Sequence, residues 1–310
     1  MIRYGMAKRL RLKEFWDLLK AAVNAWFADR AQRLGASLAF YTVLALPPLF
    51  VIVLFIVSLW VSAASARTEI FTEISALLGD QGAKALESIL VNPQQHSNGL
   101  VASAIAIGTL LITATGVFME LQDALNLVWG VEEKPGQGWR GFIKNRLLSF
   151  ALIVGIGFLL LVSLLVNAGL EAADKYFGGL LPGAVGSWRV VNTLVSLGVV
   201  TLLFALIFKV LPDAKIAWRD VWVGATITAL LFTAGKFLIG MYLGRSTVVS
   251  AYGAAGSAII VLLWVYYSAQ ILYFGAELTQ AYACRFGSRI EPKENAQWIN
   301  PAKCPKAGEA

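Results

Sequence analysis

The chain has 310 residues, 58% of them hydrophobic and only 15% charged, with a mean hydropathy of +0.68. Soluble domains run nearer 45–50% apolar and about 25% charged, so a water-soluble enzyme of this length is excluded and the chain reads as a polytopic membrane protein. Its net charge is +7, and its one histidine, His96, rules out a multi-histidine metal site and argues against a His-based catalytic triad.

The N-terminal arm, residues 1–35, carries eight lysines and arginines and has no clean apolar core, so it does not read as a cleavable signal peptide. Within it, residues 12–34 repeat apolar groups at helical spacing: Leu12, Phe15, Trp16, Leu19, Val23, Trp26 and Phe27. A basic amphipathic helix lying on the cytoplasmic interface is expected, either as a lipid anchor or as a gate. Six stretches then have the length and apolarity of membrane helices, at about 36–62, 99–120, 147–170, 189–211, 221–243 and 257–280. None alternates with period two, which excludes a membrane β-barrel.

Pro47 and Pro48 stand near the middle of the first span. Each removes an N–H donor and crowds the preceding turn, so a kink or break is expected there. Freed carbonyls must then face protein or water, as at the substrate sites of several carrier families; a purely structural kink is the alternative. The external loop, 63–98, has two apolar stripes separated by Gly79-Asp80-Gln81-Gly82. It predicts two short helices across the outer mouth, as a cap or as interfacial packing.

Glu120 and Asp123 close the second span on one helix face, with Thr113 and Gly116 continuing a thin polar stripe. They are either intramembrane coupling groups or acids at the cytoplasmic interface. In the fifth span Lys236 either snorkels to the outer surface or pairs with an anionic group. Gly240 and Gly244 follow it and predict close helix packing. The sixth span is unusually polar, with Tyr266, Gln270 and Glu277 as candidate substrate or coupling groups; Tyr41 joins them from the first. Residues 120–124 and 277–281 echo one another, as do Pro135…Arg140 and Pro212…Arg219, hinting at a duplicated helix pair. The tail, 284–310, is polar and holds both cysteines, Cys284 and Cys304, and this usage indicates no disulfide framework.

Sorted by loop, twenty of the 26 cations fall on the side of the two termini, five on the other, and Lys236 within a span. This asymmetry predicts both termini in the cytoplasm. Trp60, Trp129, Trp139, Trp188, Trp218 and Trp222 fall at or near predicted span ends, where an indole is favoured. The expected fold is all-α: a basic arm (1–35), one six-helix transmembrane domain (36–283) and a cytoplasmic tail (284–310).

Several segments, in this order, are similar to the YihY/BrkB family of bacterial inner-membrane proteins: 35–42 leading into Pro47-Pro48, 119–126 with Trp129, 209–213, and 252–257 through 264–270 to 275–277. The resemblance spans about 30–285. It implies a six-helix inner-membrane protein, linked in the family with export or flipping of lipid and lipopolysaccharide precursors. An older family label, ribonuclease BN, finds no support in the residues: the acids are scattered over both sides and assemble no metal-dependent nuclease cluster. The leading expectation is therefore a carrier of an amphipathic, anionic lipid-type substrate, with membrane lipids as partners and neither nucleic acid nor cofactor. An ion- or proton-coupled antiporter and a non-transporting scaffold are the alternatives; an enzyme is not expected, because no nucleophile-and-base pair is present.

Overall fold

The computed structural model describes residues 12–58, 99–135, 184–245, 256–288, 290–299 and 303–304. The predicted third span (147–170) and the external loop helices lie outside these. Among the described residues, the amphipathic segment forms α1 (Leu12–Ala28) and stops short of its predicted end. Arg30 takes a left-handed φ of 54°, a conformation that breaks the helix. The chain restarts as α2 (Ala31–Ser58).

Helix α2 runs through Pro47 and Pro48, so the expected break is not a helix end. Proline's fixed φ is itself helical, so the pair is accommodated in the helical backbone although it removes the hydrogen bonds its own N–H groups would have made and crowds the preceding turn. The predicted second span, 99–120, lies within α3 (Gly99–Trp129), which is closed by Gly130 at a φ of 70° that donates to Leu127 O. The remaining helices are α4 (Ala184–Val210), α5 (Trp218–Arg245) and α6 (Gly256–Arg285). Within them, Thr193–Val210, Trp218–Met241 and Ile259–Arg285 are long and apolar enough to cross a membrane.

Helix α6 is the hub, packing against α1, α2, α3 and α5, while α4 reaches it through α5. Phe204 of α4, Phe232 of α5 and Trp264 of α6 form an edge-to-face series, with centroids 5.6 and 6.2 Å apart. The α5–α6 contact is tighter than the sequence reading proposes, and elsewhere. A Cβ on Gly224 would meet Thr279 Oγ1 at 1.7 Å, and one on Gly275 would meet Thr228 Oγ1 at 2.0 Å. Each threonine hydroxyl donates to the glycine carbonyl four residues back, at 2.8 Å for Thr228 and 2.6 Å for Thr279. Two Gly-xxx-Thr faces thus interlock in opposite directions, each hydroxyl satisfied within its own helix. Gly240 meets nothing within 4 Å among the described residues, and the surroundings of Gly244 lie outside them.

The tail departs furthest from expectation. It folds back on the helix ends as two short strands, so the fold is mainly helical rather than purely so. Strand β1 (Val131–Glu133) pairs antiparallel with β4 (Ala296–Trp298), and β2 (Ala214–Lys215) with β3 (Glu291–Pro292). Ile290, Ala296 and Cys304 are buried. Cys284 and Cys304 form a disulfide, Cα–Cα 5.3 Å, which the cysteine usage did not indicate. The tail thereby covers a core of Leu125, Val128, Phe208, Ile216 and Val221. Trp129 belongs to that core, fully buried, and not to an interfacial belt; Trp218 and Trp222 remain exposed.

Candidate functional site

At the tail-covered end, polar side chains from distant segments meet. Asp213, in the turn after α4, is buried. Its Oδ2 accepts from Gln122 Nε2 and Asn126 Nδ2, both at 3.0 Å, and its Oδ1 from Asn295 Nδ2 at 2.9 Å. Its backbone N–H donates to Asn126 Oδ1 at 2.7 Å, and its carbonyl accepts from Lys293 N at 2.9 Å. Such full satisfaction makes Asp213 an anchor joining α3, the α4–α5 turn and the tail. Asp220, in the first turn of α5, accepts from Ser288 N and Oγ at 2.8 and 2.7 Å, clasping the end of α6 to the start of α5.

A second cluster surrounds Glu277, which is 1% exposed on α6. Asp29, in the α1–α2 turn, lies within hydrogen-bonding reach of it, and Lys303 of the tail faces both. The Lys303 ammonium pairs with Asp29 and donates to Leu127 O at 2.7 Å. Glu277 Oε1 has no hydrogen-bond partner among the described residues. Of the predicted acids, Glu277 is thus the one enclosed by other charged groups. Glu120 is half-buried, close enough to Tyr273 of α6 to interact with it electrostatically. Asp123 is exposed, past the end of the second span. Partial desolvation at the packed helix end, then the charges of Glu120, Glu133 and Asp213, raise its carboxyl above the ordinary aspartate range.

The third feature is a groove of about 370 Å³ between α1, α5 and α6. Its walls include Val23 and Phe27 of α1, Leu231 and Leu238 of α5, and Ile271 and Phe274 of α6. Trp26 and Gln270 also line it, and the indole Nε1 and amide Oε1 are buried without partners among the described residues. Gln270 Nε2 points to Ala31 O at 3.4 Å. Helix α1 touches α6 through Leu18 and Ala22, which leaves Phe15, Trp16, Val23 and Phe27 exposed. Of the other predicted residues, Tyr41 lies on Gly116 between α2 and α3, while Tyr266 and Lys236 are half-buried on α6 and α5. The structure therefore brings Glu277 and Gln270 each into a cluster, and gathers neither Lys236 nor Tyr41 to them.

Sequence reasoning missed Asp29, Asp213 and Lys303. The Gln122 and Asn126 pair, four apart on one face of α3, was the only local signal that a buried acceptor waited opposite.

The virulence factor BrkB family model matches residues 22–299. The chain belongs to the BrkB family. A UPF0761 membrane protein of Ralstonia nicotianae is 27% identical over 281 residues, covering 90% of this chain and 60% of the relative. Another from Psychrobacter is 25% identical over 296 residues, covering 93% and 53%. A third from Alteromonas mediterranea is 27% identical over 297 residues, with 94% of each chain covered. The chain thus spans little more than half the length of the first two relatives and nearly all of the third. No solved structure matches. This BrkB chain is an integral membrane protein, and its Asp213 anchor, acid–lysine cluster and groove all lie inside the matched region or directly against it, Lys303 being four residues beyond its end.

Proposed function

We infer that this BrkB protein is a carrier of an amphipathic, anionic lipid-type substrate in the bacterial inner membrane, with both termini cytoplasmic, and not an enzyme. The groove between α1, α5 and α6 carries the reading. Two of its three walls are helices long and apolar enough to cross a membrane, and on this reading the substrate enters from the hydrocarbon without crossing water. An acyl chain fits its apolar walls. The third wall, α1, presents exposed aromatics and the exposed Lys13 and Lys20, a combination that attracts anionic headgroups. Trp26 Nε1 and Gln270 Oε1, without partners among the described residues, leave a donor and an acceptor for an ester or headgroup.

Purified protein in vesicles should move fluorescent phosphatidylglycerol between leaflets faster than protein-free vesicles do. Ala234 is an exposed groove residue, so Ala234→Trp fills the groove without disturbing the core. It should lower the rate by about tenfold or more, the scale of 1.4 kcal/mol in a barrier. Rates equal to empty vesicles for the wild type sink the reading.

A further inference from the structure

We propose that Asp29, Glu277 and the carbonyl of Leu127 form an alkali-cation site, that the chain's own Lys303 fills it as a tethered ammonium, and that the Cys284–Cys304 bond keeps the lysine there. The proposal is independent of the lipid reading, and either can fail without the other.

Oxygen-bearing groups from three elements gather around one ammonium: Asp29 of the α1–α2 turn and the Leu127 carbonyl at the end of α3 bind it, and Glu277 of α6 lies beside Asp29. Lys303 Nζ pairs with Asp29 and donates to Leu127 O at 2.7 Å, while the buried Glu277 faces both charged groups. Carboxylate and carbonyl oxygens suit hard cations, and a lysine ammonium is a compact point charge of the same kind. Glu277 Oε1 has no partner among the described residues, so the cluster holds more acceptor capacity than the lysine uses. With Lys303 withdrawn, the Asp29 carboxylate and the Leu127 carbonyl would lose their cation beside the buried Glu277, a costly state that an entering ion would relieve. The side chains of Lys303 and Asp29 keep 20% and 10% of their surface exposed, which gives that ion an edge to enter by.

The tether is local. Cys304 directly follows Lys303 and is bonded to Cys284 in the last turn of α6. One turn before it, Gln280 Nε2 donates to Lys303 O at 3.1 Å. The cation asymmetry puts this end of the molecule in the cytoplasm, where disulfides are transient and redox-sensing. A dithiol reductant attacks one sulfur and breaks the S–S bond. Its second thiol then resolves the mixed disulfide, closing the reductant's own disulfide and leaving Cys284 and Cys304 as thiols. Two electrons pass from reductant to protein, and Lys303 is then held by non-covalent contacts alone.

Thermal unfolding of the purified full-length protein in NaCl or KCl, against choline chloride at equal ionic strength, tests this. The oxidised wild type should unfold at one temperature in all three salts. In Lys303→Met, Na⁺ or K⁺ should raise the midpoint saturably by about 3–6 °C over choline. Adding Glu277→Gln should abolish that rise. Dithiol-reduced wild type and Cys304→Ser, which keep the lysine, should show part of it, and they carry the test if Lys303→Met does not fold. An identical response in choline, or one that survives Glu277→Gln, overturns the site. An oxidised wild type as salt-responsive as the reduced protein overturns the clamp.

Discussion

Asp213 shows how much a single buried acceptor holds together. Three side-chain amides donate to its carboxylate from α3 and the tail, and its own backbone is bonded on both sides. Asp213→Ala removes the acceptor and leaves the donors of Gln122, Asn126 and Asn295 competing for water that only partly reaches them. We expect a loss of about 2–4 kcal/mol, read as a lowered unfolding midpoint in detergent, with Asp213→Asn less damaging. A change below about 0.5 kcal/mol, the range of ordinary surface substitutions, would show that the anchor is not structural. None of this was legible from the residue alone: Asp213 reads as a loop aspartate after Pro212, and its side-chain partners lie 82 to 91 positions away. Glu277 differs in that its position inside an apolar span already marked it. What the sequence lacked was Asp29 and Lys303, which come from a helix break and from the polar tail.

At the scale of elements, the α5–α6 pair separates composition from contact. Both Gly240-xxx-Gly244 and Gly224-xxx-Thr228 are small-residue motifs on one helix, and only the second meets a complementary Gly-xxx-Thr face on α6 among the described residues. Gly275→Val would drive methyl groups into Thr228 and part the helices, costing about 1–3 kcal/mol or more. Gly240→Ala should be neutral or slightly stabilising, since a Cβ there meets nothing within 4 Å among the described residues and alanine favours helix. Paired unfolding midpoints decide it, and equal losses at both positions would refute the assignment. Helix α1 makes a related point. Its apolar stripe was plain from the spacing, but among the described residues only a narrow seam of it, Leu18 and Ala22, is buried against Leu278 of α6. The exposed aromatics left over are what a membrane interface would cover.

For the whole molecule, the uneven distribution of cations makes a directional prediction. In a cysteine-free background, Lys13→Cys on α1 and Ile299→Cys after β4, both exposed sites, should resist a membrane-impermeant maleimide in intact spheroplasts and label once the membrane is opened. Labelling of either before permeabilisation would reverse the orientation, and would place the disulfide in an oxidising compartment where it needs no reductant to explain it. The two ends also belong to one assembly: the turn after α1, the end of α3 and the tail meet at Lys303.

By itself the sequence determined the solvent, the helical class, the approximate bounds of the described spans and the charge asymmetry. Each of these is a sum over neighbouring residues: transfer energies along a stretch, a helical period, a count of cations in a loop. Tertiary structure alone decided that the polar tail becomes paired strands, that Cys284 meets Cys304, that Thr228 and Thr279 face glycines, and that one lysine pairs with Asp29 beside a buried glutamate. Those outcomes depend on which surfaces meet once the helices pack. Burial in that packing, and not local pattern, makes a distant partner for a buried charge or amide worth the ordering it requires.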